Sequence, residues 1–378
     1  MKHSNDRILT THAGSLPRPQ GLRQLMWDQL EGKAVDGAAL DSQVRAAVKE
    51  IVEKQQQIGI DVISDGEMGK IGFSNYVFQH YTGFAEEAPF RAADLADFPD
   101  LAMKLVSGGL HHVVLRTLEG PIAPRDPEWV HAEIEDFKAA LNGADPDDAF
   151  IPAVTPGQVT FNFPNRYYPS HEAYLEAAAT ALRPEYKAIV DAGFNLQLDS
   201  PDVAMARHCF IEGTDLNDPQ RHVEASIDYL NGALADLPPE KLRFHICWGN
   251  YGGPHHKDIE LREIIEPLLE LQVAFISVEG ANPRHEHEWR VWQELALPDD
   301  KMLIAGVIDT KTNHVEHPQL VAERLERFAG VVGKERVIAG TDCGFETFVG
   351  ANSCDPGVAW LKLEALVDGA ALASESLW

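Results

Sequence analysis

Residues 302–342, MLIAGVIDTKTNHVEHPQLVAERLERFAGVVGKERVIAGTD, decide the fold. MLIAGVID (302–309) and RVIAGTD (336–342) are short apolar runs of strand length. Between them Leu320, Val321, Leu325 and Phe328 recur at helical spacing, in a helix that Pro318 opens. Strand, helix and strand in that order imply parallel pairing with a right-handed crossover. Working outward, the same unit recurs at ILTTHAG (8–14), DVISDG (61–66), FIPAVTP (150–156), FNLQLDS (194–200), RFHICWG (243–249) and AFISVEG (274–280). Val44, Val48, Ile51 and Val52 form the helical stripe before DVISDG. Eight runs favour a closed (β/α)8 TIM barrel over a doubly wound sheet. No Gly-x-Gly-x-x-Gly follows a strand, which argues against a dinucleotide fold. A ninth run, HHVVLRTLEG (111–120), falls in residues 71–150, rich in aromatics, Pro and Asp. That stretch is expected to be an excursion over the barrel mouth, within one unit spanning 1–378.

The composition narrows the function classes. Of 378 residues, 44% are hydrophobic and 24% charged, as in soluble globular proteins. With 32 basic against 59 acidic residues, the formal charge is −27, which argues against nucleic acid or an anionic membrane as partner. No stretch reaches the roughly 18 apolar residues of a membrane helix, and the N-terminus lacks a signal-peptide core. Four cysteines are too few for a disulfide scaffold. A cytoplasmic, reducing location is expected, where thiols stay available to metal. Nothing in the sequence sets the oligomeric state.

Reactive groups of such barrels come from the C-terminal strand ends, and the unusual polar residues cluster there. Gly14 and Ser15 follow the first strand, Asp65 and Glu67 the second, Gln197 and Asp199 the fourth. His245 and Cys247 end the fifth, Glu279 the sixth, Asp309 the seventh and Cys343 the eighth. His-x-Cys on a strand puts two ligand side chains on one face, because the side-chain period is two. His245, Cys247, Glu279 and Cys343 together read as a tetrahedral zinc site, a soft set suited to activating another thiol. Glu67 and Asp199 read either as loop caps or as acceptors for a substrate ammonium group, and the Gly14-Ser15 turn offers N–H groups to a carboxylate. Cys209 and Cys354 are assigned to core or surface. His285 and His287, in HEHEW, are either a helix start or loop clasp, or substrate-binding groups; His255-His256 belong to a loop.

At these residues the chain resembles the cobalamin-independent methionine synthase family, through its catalytic barrel. TTHAGSLPRP, VISDGEMGK, TPGQVTFN, LQLDSPD, FHICWGN, ISVEGAN, GVIDTKTN and GTDCGF stand in family order. The resemblance implies zinc-dependent transfer of a methyl group from a folate to a thiol, homocysteine in the parent enzymes. By position, His245, Cys247, Glu279 and Cys343 are then zinc ligands, and Ser15, Glu67 and Asp199 hold the amino-acid part of the thiol. The chain is similar to the single-barrel branch and departs from the family pattern in three places. The family's Asp-x-His reads Asp309-Thr310-Lys311, with His314 three residues on. The aromatic platform is Phe161 or Phe163 in place of Trp, and Asp-Glu-Pro reads Asp199-Ser200-Pro201. The same branch resembles the epoxyalkane:coenzyme M transferases, and Arg284 offers a cation for an anionic thiol.

The mechanism expected from these residues has the thiol lose its proton on zinc, displacing water or the weakest ligand, Glu279. The thiolate then attacks an electrophilic carbon. Asp309, holding a water, or His314 supplies the proton for the leaving group. The partners are thus a small-molecule thiol and a methyl or alkyl donor. The alternatives are epoxide opening by another thiol, a uroporphyrinogen-decarboxylase-like enzyme, and a non-catalytic metal protein.

Overall fold

A computed structural model describes residues 1–88, 90–108, 113–211, 219–351 and 353–378. Eight parallel strands form its centre: β1 (Leu9–Thr10), β2 (Ile63–Ser64), β3 (Ala149–Val154), β4 (Asn195–Asp199), β5 (Leu242–His245), β6 (Phe275–Val278), β7 (Met302–Ile308) and β8 (Val337–Thr341). Each pairs with its sequence neighbour from β2 to β8, and β8 returns to β1 with Leu9 opposite Ile338. A parallel bridge between Thr11 and Val62 brings β1 onto β2, so the sheet curls round on itself as a (β/α)8 barrel. Each of the eight sequence runs holds a barrel strand, with Ala149 and Leu242 starting theirs one residue before the run. The first two are only two residues long, because the polar residues that follow leave the ladder for the turns that build the mouth.

The helices follow their apolar stripes. Gly37–Ile58 buries Val48, Ile51 and Val52; Asp36 caps its start and left-handed Gly59 ends it. Pro318–Val332 begins at the expected proline and buries Val321, Leu325 and Phe328. No helix among the described residues is long and apolar enough to cross a membrane.

The interior is layered, as the two-residue period of a strand requires. Met1, Leu9, Val62, Phe150, Phe275, Ile304 and Ile338 pack together as an apolar floor. Above it lies Arg243, its guanidinium 3.8 Å from the centre of the Phe150 ring. It crosses from β5 to donate to Thr11 Oγ1 (3.0 Å) and the His12 carbonyl (2.8 Å). Two and four residues further along the same chain come His245 and Cys247, at the mouth.

Between β2 and β3 the chain makes its excursion. Phe84–Ala88 pairs antiparallel with Leu115–Leu118, so the ninth run is a strand outside the barrel; its His111 and His112 lie outside the described residues. Phe90–Ala92 pairs antiparallel with Cys209–Ile211, which joins this excursion to the connection after β4. Helix Trp129–Leu141 then packs against Gly37–Ile58 and leads back to the barrel.

The seam between β1 and β2 depends on one carboxylate. Asp61 Oδ2 accepts from Thr10 N (2.9 Å), Thr10 Oγ1 (3.0 Å) and Arg7 Nη1 (2.8 Å). Asp61→Ala is expected to lower the unfolding free energy by about 1–3 kcal/mol in a urea titration. A change under about 0.5 kcal/mol, the size typical of neutral surface substitutions, would show that the seam holds without it.

Candidate functional site

Three of the four expected metal ligands meet at the mouth. The ligand atoms of His245, Cys247 and Cys343 all lie within 4.8 Å of one another, with the two sulfurs 3.2 Å apart. Ser277 Oγ lies 3.4 Å from His245 Nδ1, while buried Nε2 has no hydrogen-bond partner. Burial pulls the His245 pKa down to about 4, so the imidazole is neutral, the form that ligates a metal. The neighbouring Cys343 and burial push the Cys247 thiol well above its ordinary range without a cation. An orphaned imidazole nitrogen beside two close thiols fits a soft divalent metal such as zinc.

Glu279, the fourth expected ligand, is outside that group. Its Oε1 accepts from Trp248 N (2.9 Å), and its Oε2 from Asn282 Nδ2 (2.7 Å) and Lys311 Nζ (2.6 Å). Burial raises the carboxyl pKa, but Lys311, His285 and these hydrogen bonds outweigh it and hold Glu279 below its usual value. Burial also opposes the Lys311 charge, yet Glu279, Cys247 and Asp342 keep that ammonium firmly protonated.

Ser15, Glu67 and Asp199 line the same cavity as His245, Cys247 and Cys343. Ser15 Oγ and Glu67 Oε2 are buried without hydrogen-bond partners. Glu67 has φ 58°, a left-handed conformation that side chains rarely adopt, and follows Gly66 at φ 66°. Gly14 (φ +119°) must be glycine, since a Cβ there would lie 2.7 Å from Glu67 Oε1. Burial raises Glu67 to about 7 against the charges of Lys70 and Arg18, and burial with the Glu67 charge raises Asp199 well above its usual range. Two buried carboxylates that resist ionising together make a receptor for a cation. Among the described residues that line it, none is Lys or Arg. The rest of the wall is largely apolar, with Phe73, Val113 and Leu115 from the excursion, Phe161 and Met205 from short helices and Phe348 from a loop.

The remaining expected residues have other surroundings. Asp309 Oδ1 accepts from Lys311 N (3.0 Å) and Oδ2 from Thr312 Oγ1 (2.7 Å), so its carboxylate shapes the turn that carries Lys311 inward. That turn leaves His314 exposed and away from the lining, its carbonyl accepting from Lys362 Nζ. Of the two candidate platforms, Phe161 reaches the cavity, whereas Phe163 packs on Phe78 and Phe84. Arg284 donates to the Asp258 carbonyl (3.2 Å) and does not line the cavity. His285 is a loop clasp, binding Glu288 Oε2 (2.9 Å) and Asp258 Oδ2 (3.0 Å), and His287 is exposed. Cys209 and Cys354 are buried among apolar side chains.

Asp342 was not singled out from the sequence. Its Oδ1 accepts from Gly280 N and Ala281 N, and its Oδ2 from Asn282 N, each at 2.9 Å. The signal was its place beside Cys343 at the end of a barrel strand.

The fold and site define a (β/α)8 barrel enzyme-like scaffold with a thiolate-rich candidate metal centre. The family model described as cobalamin-independent synthase, catalytic domain, matches residues 8–89, which carry Ser15 and Glu67. A methionine synthase of Saccharolobus solfataricus is 25% identical over 373 residues, covering 97% of this chain and 95% of the relative. The 2-hydroxypropyl-CoM lyase of Xanthobacter autotrophicus is 22% identical, covering 96% and 94%. Among solved structures, a B12-independent methionine synthase from Shewanella has a TM-score of 0.73 at 21% identity, covering 98% of this chain and 99% of its own. Along nearly its whole length the chain is thus similar to cobalamin-independent methionine synthases.

The raised Glu67 pKa has a consequence for stability. Between about pH 4.5 and 7 the folded protein keeps a proton that the unfolded chain has released, so stability falls as pH rises through that window. Glu67→Gln should remove this dependence and exceed the wild type above pH 7 by on the order of 2 kcal/mol. Thermal melts from acid to mild alkali check it; parallel profiles for the two proteins would refute the assignment.

Proposed function

We propose that this protein is a zinc-dependent thiol methyltransferase, moving a methyl group from a methyltetrahydrofolate-type donor to homocysteine and giving methionine. The observation that carries the reading is the placing of His245, Cys247 and Cys343 in one cavity with Ser15, Glu67 and Asp199. The names of the relatives point the same way. His245, Cys247 and Cys343 are the side chains that would hold zinc, a bound ion supplying a site at which a thiol is ionised at neutral pH.

The chain's own residues do the rest. Glu67 and Asp199 take the substrate ammonium group, which lets both carboxylates ionise and anchors the thiol end towards Cys247 and Cys343. Ser15 Oγ, without another partner, is available to the substrate carboxylate. Phe161 and the apolar wall receive the donor and exclude water from the reacting carbon. Asp309 acts through the turn it shapes. The excursion within 71–150 contributes Phe73, Val113 and Leu115 to this wall, so residues 1–378 work as one catalytic unit.

Epoxide opening by coenzyme M is the second reading, prompted by the Xanthobacter relative. A sulfonate thiol would need a cation where, among the described residues, this cavity presents two carboxylates and no Lys or Arg, so an aminothiol is preferred.

Zinc content by mass spectrometry, with a homocysteine and methylfolate turnover assay, tests the proposal. Wild type should carry near-stoichiometric zinc and form methionine, and Cys343→Ser should lose most of both. Zinc without methionine would sink the donor and acceptor assignment while keeping the metal centre. A wild type without zinc would sink the whole reading.

A further inference from the structure

Both oxygens of Glu279 are already engaged, although the residue stands where a ligand is expected. Three donors converge on it, and one is a buried cation: the side chains of Glu279 and Lys311 are 0% and 8% exposed. Neither end of the arrangement is loose. Asn282, which holds Oε2, is itself fixed by Asp342 through its backbone N–H (2.9 Å) and Nδ2 (2.8 Å). Lys311 is delivered by the turn in which its N–H bonds to Asp309. Trp248, whose N–H holds Oε1, directly follows Cys247.

We propose that Lys311 is a positioning residue that holds Glu279 off the metal, so that the ion is bound by His245, Cys247 and Cys343 alone and its fourth position is left to the incoming thiol. The inference rests on the zinc reading above. Glu279 lies outside the group formed by His245, Cys247 and Cys343, so to ligate, its carboxylate would have to move away from a buried ammonium that has no other side-chain acceptor among the described contacts, a costly separation of charges. Charge balance favours the same arrangement. Two thiolates neutralise a divalent ion, and a third anion from the protein would weaken its pull on a substrate thiolate. With Lys311 balancing Glu279, a bound ion would need no protein ligand displaced to receive the substrate sulfur, and the ammonium would add positive charge beside it.

The test uses the whole chain with zinc alone and with cobalt(II) in its place. Zinc affinity is measured against a chromogenic chelator, and the visible spectrum of the cobalt protein reports its ligand set. Glu279→Gln should bind zinc within about threefold of wild type and keep the cobalt spectrum, whereas loss of a true ligand or its support costs about 10–100-fold. Lys311→Met should free the carboxylate to reach the ion. Its zinc affinity should rise about tenfold or more, its cobalt spectrum should change, and the spectral response to added homocysteine should shrink. A tenfold loss of zinc affinity in folded Glu279→Gln, or an unchanged affinity and spectrum in Lys311→Met, would overturn the proposal. Circular dichroism establishes folding. If Glu279→Gln fails to fold, the double variant Glu279→Gln/Lys311→Met takes its place, with wild-type zinc affinity expected and a tenfold loss overturning the idea. A wild type that binds no zinc overturns this inference together with the proposed function; zinc loss confined to the Glu279 variants overturns this inference alone.

Discussion

The buried carboxylate of Asp342 is the constraint on which the mouth of the barrel depends. It sits at the end of β8 and takes the N–H groups of residues 280, 281 and 282, together with the Asn282 amide. Hydrogen bonds to an ionised acceptor contribute about 1.5–3 kcal/mol each where geometry is good, so this clamp is among the stronger local restraints in the molecule. Burial and the Glu279 charge nevertheless raise Asp342 to about 6, the cost of keeping a second carboxylate so close. Through the clamp, the strand ends that carry Glu279 and Cys343 are fixed relative to each other. Asn282 passes the restraint to Glu279, and Glu279 passes it to Trp248 and Lys311.

The interior below follows the same logic with opposite charge. Arg243 lies on the Phe150 ring and ties β5 to β1 beneath His245 and Cys247. A lysine there would offer a point charge, whereas the planar guanidinium can stack and donate in two directions at once. Near the Glu67 side, Lys70 donates to the Pro152 carbonyl and Arg18 to the carbonyls of Glu67, Lys70 and Glu346. Lys70 and Arg18 are thus held by backbone oxygens. That leaves the Glu67 and Asp199 carboxylates without a direct cationic partner among the described contacts, and burial raises their pKa values.

Much of this was legible from the sequence because strands and helices have fixed periods. The apolar run and the polar residue closing it locate each barrel strand, and His-x-Cys places two donors on one side without any tertiary information. Cys343, Ser15, Glu67 and Asp199 followed from the rule that barrel chemistry gathers at one end of the strands. What periodicity could not supply was side-chain choice between competing partners. Glu279 reads identically as a metal ligand or as an ion-pair partner until the position of Lys311 is known. Asp309 closes β7 as a reactive group should, yet the turn after it absorbs both oxygens and leaves His314 outside. Phe161 and Phe163 are two residues apart, and the short helix Pro156–Asn162 sends only the first to the cavity. The pairing of Phe90–Ala92 with Cys209–Ile211 joins segments over a hundred residues apart, a contact that no local pattern announces.

The apolar floor has a kinetic meaning. With Phe150, Phe275, Ile304 and Ile338 packed below and Arg243 spanning the space above them, the described residues close the rear of the barrel. Whatever enters passes between the loops at the mouth, where the polar seat of Ser15, Glu67 and Asp199 stands at the strand ends and the excursion supplies part of the apolar wall. If two reactants share this cavity as proposed, they would queue: the one held by Ser15, Glu67 and Asp199 would arrive first and depart last, and an excess of the other would trap it.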